Sequence, residues 1–289
     1  MNQDLDKLTE DFLSERPKFY SLIRPYEAYL FKQHSGYFHG RVLDFGCGDG
    51  FFALLSYELL RPGPPLELVG VDITGSRAEQ AEFGMIYSQI KIYDGKRLPF
   101  VDNSFDSVVS NSVLEHVVDL DQTLHEISRV LKPGGYFLTT VMTERWEQAL
   151  LGKKIGGKFY TEWLRKRQKH WHLLSVKDWI EHFENHQLLC QKKVGYLPPK
   201  QSRVMEALHY LSLPSLLSYK LFRRWVLWPN AYRFCPLTPW IKALNKTTQT
   251  QKVQASSVFF VLQKKADSDY ILPLSGTQRE RGEIIRMGV

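Results

Sequence analysis

At 289 residues, 43% hydrophobic and 24% charged, the chain is too long and too apolar to be a disulfide-stapled miniprotein, a collagen-like fibre or a largely disordered polymer. Cys47, Cys190 and Cys235 lie far apart, with no C-x-x-C pair and no metal-ligand spacing, so free thiols in a reduced compartment and no metal site are expected. The net charge of +7 is uneven: Arg145 to Lys246 holds 19 Lys and Arg against 6 Asp and Glu, +13 there and −6 elsewhere, which suits nucleic acid, an anionic membrane, an acidic substrate or simply a solvated face.

The N-terminus, MNQDLDKLTEDF, is acidic and polar and does not read as a secretory signal peptide, so a cytoplasmic protein, at most peripheral to a membrane, is expected. Residues 1–40 are rich in Phe and Tyr, and the spacing of Tyr26, Tyr29 and Leu30 predicts one or two short helices punctuated by Pro17 and Pro25. They either pack on a core or cover a bound ligand. From Arg41 the texture changes. RVLDF reads as a strand, GCGDG as a turn and Phe51–Leu60 as a helix, which RPGPP at 61–65 breaks. Further strands are predicted at 66–72, 90–93, 105–110 and 136–141. The apolar stripe at 120, 124, 127, 130 and 131 predicts a helix, with KPGG at 132–135 as its stop. Strands alternating with helices predict a doubly wound α/β sheet.

Residues 142–172 read as irregular, basic and aromatic. Ser175–Asn185 reads as a helix capped by Ser175, and 188–197 and 256–263 as two more strands. Between those strands lies an insertion, 198–254, in which Leu, Trp, Tyr and Phe alternate with Lys220, Arg223, Arg224, Arg233 and Lys242. Its prolines and the lack of an uninterrupted apolar run of ~18–20 residues exclude a spanning helix. It reads equally as an interfacial segment on anionic lipid or as a helical cap over an acceptor pocket. Nucleic acid is not favoured, because no recognisable binding module is present.

The segment Val42 to Gly50, VLDFGCGDG, is the most informative. An acid closes a strand, glycines alternate and a helix follows, as needed where backbone must approach a ligand closely. The spacing is G-x-G-x-G. Phe51 stands where a dinucleotide fingerprint requires its third glycine, and no G-K-[ST] follows to make a Walker A loop. Asp44 adds a negative charge beside the turn, unsuited to a pyrophosphate and suited to a ligand carrying an ammonium and a sulfonium.

Over about 41–141 the chain resembles the class I S-adenosylmethionine-dependent methyltransferases, closest to their small-molecule, methyltransferase type 11-like branch. VLDFGCGDG resembles the family's first motif and VGVDIT its second. YDGKRLPFVDNSFDSVVSNSVLEHV resembles the run through the fourth strand, and LHEISRVLKPGGYFLTTV the fifth. HLLSVKDWIEHFENHQL resembles the later helix and sixth strand, without the glycine usual after that helix. The resemblance implies a Rossmann-like seven-stranded sheet with the last strand antiparallel, and S-adenosyl-L-methionine as cofactor. It implies that Asp44, Gly46, Gly48 and Gly50 line the methionine end, that Asp72 accepts from the ribose hydroxyls and that Ile73 packs on adenine. It further places Asp94 and Gly95 at the adenine amino group and Asn111 near the sulfonium.

A base is required only where the acceptor starts protonated. His116 is the candidate, with Glu115 beside it and His170 and His172 in the later aromatic segment as others, while Tyr160, Trp163 and Trp171 are expected to line or cover a pocket or simply to pack. The implied layout is an N-terminal helical cover (1–40), a cofactor-binding core (41–197), a helical insertion (198–254), the last core strand (255–265) and a mobile tail (266–289). The implied function is methylation of a small, hydrophobic or lipid-linked acceptor, with an anionic membrane surface as a further partner. The other reading is a cofactor-binding protein without turnover, acting as a membrane-surface or assembly subunit.

Overall fold

The computed structural model describes residues 2–60, 67–79, 84–248 and 255–266. The expected RPGPP turn, the tail beyond residue 266 and residues 249–254 of the insertion lie outside them. Among the described residues, seven strands form one sheet: Arg41–Phe45 (β1), Glu67–Ile73 (β2), Gln89–Tyr93 (β3), Phe105–Asn111 (β4), Leu131–Met142 (β5), Leu188–Tyr196 (β6) and Ser257–Lys264 (β7). Their order is β3-β2-β1-β4-β5-β7-β6. β7 is antiparallel to β5 and β6, and the other neighbours are parallel. This is the doubly wound α/β sheet expected, with its last strand reversed.

The central strands are buried along most of their length because both faces are covered, while the edge strands β3 and β6 are partly exposed. Successive side chains leave a strand on opposite sides, so Val42 joins one core and Leu43 and Phe45 the other. The first core is closed by Asn2–Glu15 (α1) and Arg24–Gln33 (α2), through Leu8, Tyr26 and Tyr29. The second is closed by Leu120–Val130 (α4) and Val176–Asn185 (α7), through Leu124, Ile127 and Trp179. Phe51–Leu60 (α3) follows β1 directly. The predicted cap at Ser175 is made, its side-chain oxygen accepting from the Asp178 N–H at 3.2 Å; at the start of α4, Asp119 caps in the same way, accepting from the Gln122 N–H at 2.9 Å.

Three stretches differ from their sequence reading. KPGG is not a turn ahead of the strand. β5 already begins at Leu131, which pairs with Phe105, while Tyr136 pairs with Ser107, so the four residues between bulge out of the ladder. Residues 142–172 are not irregular: Arg145–Ala149 (α5) and Leu151–Gln168 (α6) are helical, and α6 breaks at Gly157 (φ 55°, ψ −138°). Its glycines argue against a helix, but its first N–H groups are satisfied from elsewhere in the fold. Glu206 accepts from Leu151 N–H at 2.7 Å and from Gly152 N–H at 3.1 Å. After α7, Gln187 takes the left-handed conformation (φ 65°) that the missing glycine would adopt without strain.

The insertion is helical: Pro199–Leu211 (α8), Leu213–Phe222 (α9), a 3₁₀ turn at Pro229–Phe234 and Leu237–Lys246 (α10). α10 fastens the N-terminal segment. Asn245 donates to Thr9 Oγ1 at 2.8 Å and to the Ser21 carbonyl at 2.9 Å, Lys246 pairs with Asp6 at 2.9 Å, and Lys242 pairs with Glu10.

Candidate active site

The site forms at the carboxyl ends of β1, β2 and β4, where the strand order reverses, the usual crevice of an open parallel sheet. The β1–α3 turn makes its floor. Gly46 (φ 80°) donates its N–H to the Val71 carbonyl at 2.8 Å, and a β-carbon there would lie 2.4 Å from the Val113 side chain. Gly48 (φ 54°) donates to Asp72 Oδ2 at 2.8 Å and has open space where a β-carbon would stand. Gly50 (φ 84°) serves the helix start instead, its carbonyl accepting from Leu54 N–H at 2.8 Å.

Asp44, Gly46, Gly48, Asp72, Asn111 and His116 line one open cleft of about 1500 Å³. Ile73, Asp94 and Gly95 are not on its wall. Ile73 is the last residue of β2 and is 50% exposed, and Asp94 and Gly95 follow the end of β3, where a β-carbon on Gly95 would lie 3.6 Å from the Ile73 side chain and Asp94 accepts from Lys96 N–H at 2.9 Å. Asn111 is oriented by the Thr140 hydroxyl, which donates to its amide oxygen at 2.7 Å and so leaves the NH₂ as the free end.

Asp44 and Asp72 are the acids of the cleft that hold no ion pair, while Asp49 is paired. Asp44 is buried and receives one hydrogen bond from the Tyr87 hydroxyl at 2.6 Å. Burial pushes its carboxyl up to about 7; the Tyr87 bond opposes the rise and the charge of Asp72 adds to it. Burial also raises Asp72, against the N–H groups of Gly48 and Ile73, which favour the carboxylate. Asp49, in the same turn, is neutralised by Arg16 at 2.9 Å and Arg77 at 3.0 Å. Two acids unpaired by cations beside a glycine cradle fit the ammonium and sulfonium of S-adenosylmethionine, and a two-oxygen acceptor at the end of β2 fits a ribose diol.

The N-terminal segment roofs this cleft: Phe12, Arg16, Tyr20 and Arg24 line it. Tyr20 and Arg24 also line a second cavity of about 840 Å³, together with Glu115, Trp146, Tyr160, His170 and Glu206. His116 borders both cavities. Its Nδ1 lies 3.2 Å from the Lys169 carbonyl. A carbonyl can only accept, so Nδ1 carries the proton and Nε2 keeps its lone pair. Burial lowers the His116 pKa, the Lys169 carbonyl opposing, so the ring is neutral at pH 7. The His170 ring lies 4.8 Å away and is pushed down to about 3 by burial, with the neighbouring His116 and Arg165 adding. His172 lines neither cavity, and Trp163 and Trp171 are 43% and 56% exposed.

Glu115 is fully buried on the wall of the second cavity, and no side chain hydrogen-bonds to its carboxyl. Burial pushes it up to about 8, with backbone N–H and the charge of Arg24 opposing. Its pKa is thus above the unfolded value, so the folded state holds the extra proton. The stability associated with that proton is complete below about pH 4.5 and is lost as pH rises to about 8. Glu115→Gln should therefore flatten the fall of melting temperature over that window, leaving the variant on the order of a few degrees more stable than the parent at pH 8.5, as followed by circular dichroism. A parallel decline in both proteins would contradict this.

The residues that sequence reasoning missed act at long range. Glu27 is fully buried and binds Arg24, accepts from the Tyr196 hydroxyl at 2.6 Å and from Ser112 Oγ at 3.3 Å. The only sequence cue was the i,i+3 spacing of Arg24 and Glu27 in an aromatic stretch.

Residues 43–139 match the family described as methyltransferase domain. The ubiquinone biosynthesis O-methyltransferase of Rhodopseudomonas palustris is 27% identical over 159 residues, 54% of this chain and 60% of that protein. The demethylmenaquinone methyltransferase of Symbiobacterium thermophilum is 35% identical over 103 residues, 34% of this chain and 40% of that protein. The chain thus spans three-fifths or less of the length of these two relatives. The structure of geranyl diphosphate methyltransferase in complex with GPP and sinefungin shares the fold, with a TM-score of 0.53 at 17% identity over 82% of this chain and 76% of the other.

Proposed function

We propose that this chain, whose residues 43–139 match a methyltransferase domain, transfers a methyl group from S-adenosylmethionine to a small hydrophobic acceptor. The observation that carries the reading is the pair of cavities meeting at His116, one holding the glycine turn with Asp44 and Asp72, the other rich in aromatic side chains. Asp44 and the turn at Gly46 and Gly48 would hold the amino-acid end of the cofactor, and Asp72 its ribose. Ile73, Asp94 and Gly95 would meet the adenine at the rim, and Asn111 would lie near the sulfonium. When bound, the cofactor supplies a methyl group already activated as a leaving sulfonium substituent. The protein's work is alignment and exclusion of water, and positioning of this kind can contribute ~7–11 kcal/mol.

The second cavity takes the acceptor. Trp146, Tyr160, Leu164 and Met205 give it an apolar wall, and Arg24, Glu206 and His116 give it polar points. The quinone-biosynthesis enzymes among the relatives are consistent with an aromatic hydroxyl or ring carbon on a hydrophobic body. For a hydroxyl, His116 would be the base, its Nδ1 held by the Lys169 carbonyl and its Nε2 taking the proton as the O–CH₃ bond forms.

Incubating the protein with methyl-labelled S-adenosylmethionine and a total organic extract should move label into an organic-soluble product with equimolar S-adenosylhomocysteine. His116→Ala should slow that transfer by about 10²–10⁴-fold while cofactor affinity stays within a few-fold. Cofactor binding with no S-adenosylhomocysteine from any extract would instead support a binding protein without turnover.

A further inference from the structure

We propose that the outer faces of α6, α9 and the following 3₁₀ turn dock on an anionic lipid bilayer, with the acceptor cavity opening at that face. The acceptor part rests on the function proposed above; the docking part does not. On α6, Leu151 and Ile155 lie four residues apart before the Gly157 break, and Phe159 and Trp163 four apart after it. Ile155 and Phe159 are 90% and 81% exposed. α9 is mostly apolar, yet none of its residues is buried; Leu213, Leu217 and Leu221 form a stripe at helical spacing, all more than half exposed. Trp228 and Phe234 continue the exposed apolar surface. Soluble chains rarely leave patches of this kind uncovered without a partner.

The charges choose the partner. Lys154, Lys158, Lys166 and Arg167 flank the apolar pairs of α6, and Lys220, Arg223, Arg224 and Arg233 flank those of α9 and the turn, all exposed. Residues 213–242 contain no Asp or Glu, and 151–168 contain only Glu162. Aromatic and aliphatic side chains beside exposed cations match the boundary of a bilayer with acidic headgroups. Among the described residues no helix is long and apolar enough to cross a membrane, so the contact lies along the surface.

The cavity joins the same face. Tyr160 on α6 and Tyr210 on α8 both line it, and their hydroxyls meet at 2.8 Å. Their neighbours Phe159 and Leu211 are 81% and 65% exposed. The two helices thus turn one side to the acceptor cavity and the next residue outward, so a lipid-soluble acceptor can pass from bilayer to cavity without crossing water.

Co-sedimentation of the full chain with phosphatidylcholine vesicles, with and without phosphatidylglycerol, tests this. Binding should be about tenfold or more tighter to the anionic vesicles and should weaken with salt. Ile155→Asp with Phe159→Asp, and separately Leu217→Asp with Leu221→Asp, should each cut it about tenfold or more without changing the melting curve, since the altered side chains are exposed. Equal recovery in the supernatant with and without vesicles would overturn the proposal, as would variants that bind like the parent. So would a dimer in sedimentation velocity that the Asp variants lose, which would assign the face to a second copy. The assay needs neither cofactor nor turnover, so its failure leaves the methyltransferase reading standing, and the reverse also holds.

Discussion

Glu27→Ala should cost about 3–5 kcal/mol of folding free energy, because removing one partner of a buried ion pair leaves the other charge uncompensated. Glu27 is fully buried, with Arg24, Ser112 and the Tyr196 hydroxyl all directed at its carboxylate. Arg24 keeps 18% of its side chain exposed at the cleft, which places the loss toward the lower end of that range. Urea and thermal denaturation read it, as a fall in melting temperature on the order of 10 °C. Replacing both members, Arg24→Leu with Glu27→Leu, should recover part of the loss, because two apolar groups leave no orphaned charge. The carboxylate ties α2, the end of β4 and the end of β6 into one unit around the cavities. A loss below about 1 kcal/mol for Glu27→Ala would mean that the network contributes no more than an ordinary surface pair.

Asp72→Ala should weaken S-adenosylmethionine binding by about 100-fold or more, since each hydrogen bond to a charged acceptor contributes about 1.5–3 kcal/mol and a ribose offers two. The carboxylate already accepts from Gly48 N–H at 2.8 Å and from Ile73 N–H at 2.7 Å, so it is fixed before any ligand arrives. Its loss also frees the Gly48 amide and loosens the turn beside it. Asp72→Asn, which keeps the shape and one carbonyl acceptor, should fall between parent and Ala. Isothermal titration calorimetry distinguishes these outcomes, and an Ala variant within threefold of the parent would remove Asp72 from the cofactor site.

What the sequence discloses and what it conceals divide along contact range. The β1 turn was legible because an acid, alternating glycines and a helix start are all local, and each glycine there has a positive φ. The same holds for Ser175 and the stripe of α4, where the periodicity and the cap sit within a few residues. The helix α6 was not legible because its glycines are poor helix formers and its start is capped by Glu206, 55 residues on. The KPGG residues are turn formers by chemistry, yet the strand begins before them and absorbs them as a bulge. Tyr196 reaches Glu27 across 169 residues, and no local pattern marks that partnership. The insertion showed two compositional readings of equal weight because composition does not reveal which helices pack inward: α8 lines the second cavity and α10 holds the N-terminal segment, while α9 has no buried residue.

A crystal structure with S-adenosylhomocysteine bound would test the central claim most directly. The account predicts the ligand in the cleft between the Gly46–Gly48 turn and Asp72, with its ribose hydroxyls on the Asp72 carboxylate, its ammonium at Asp44 and its sulfur toward His116 and the second cavity. A ligand bound elsewhere, or with its ribose away from Asp72, would contradict it.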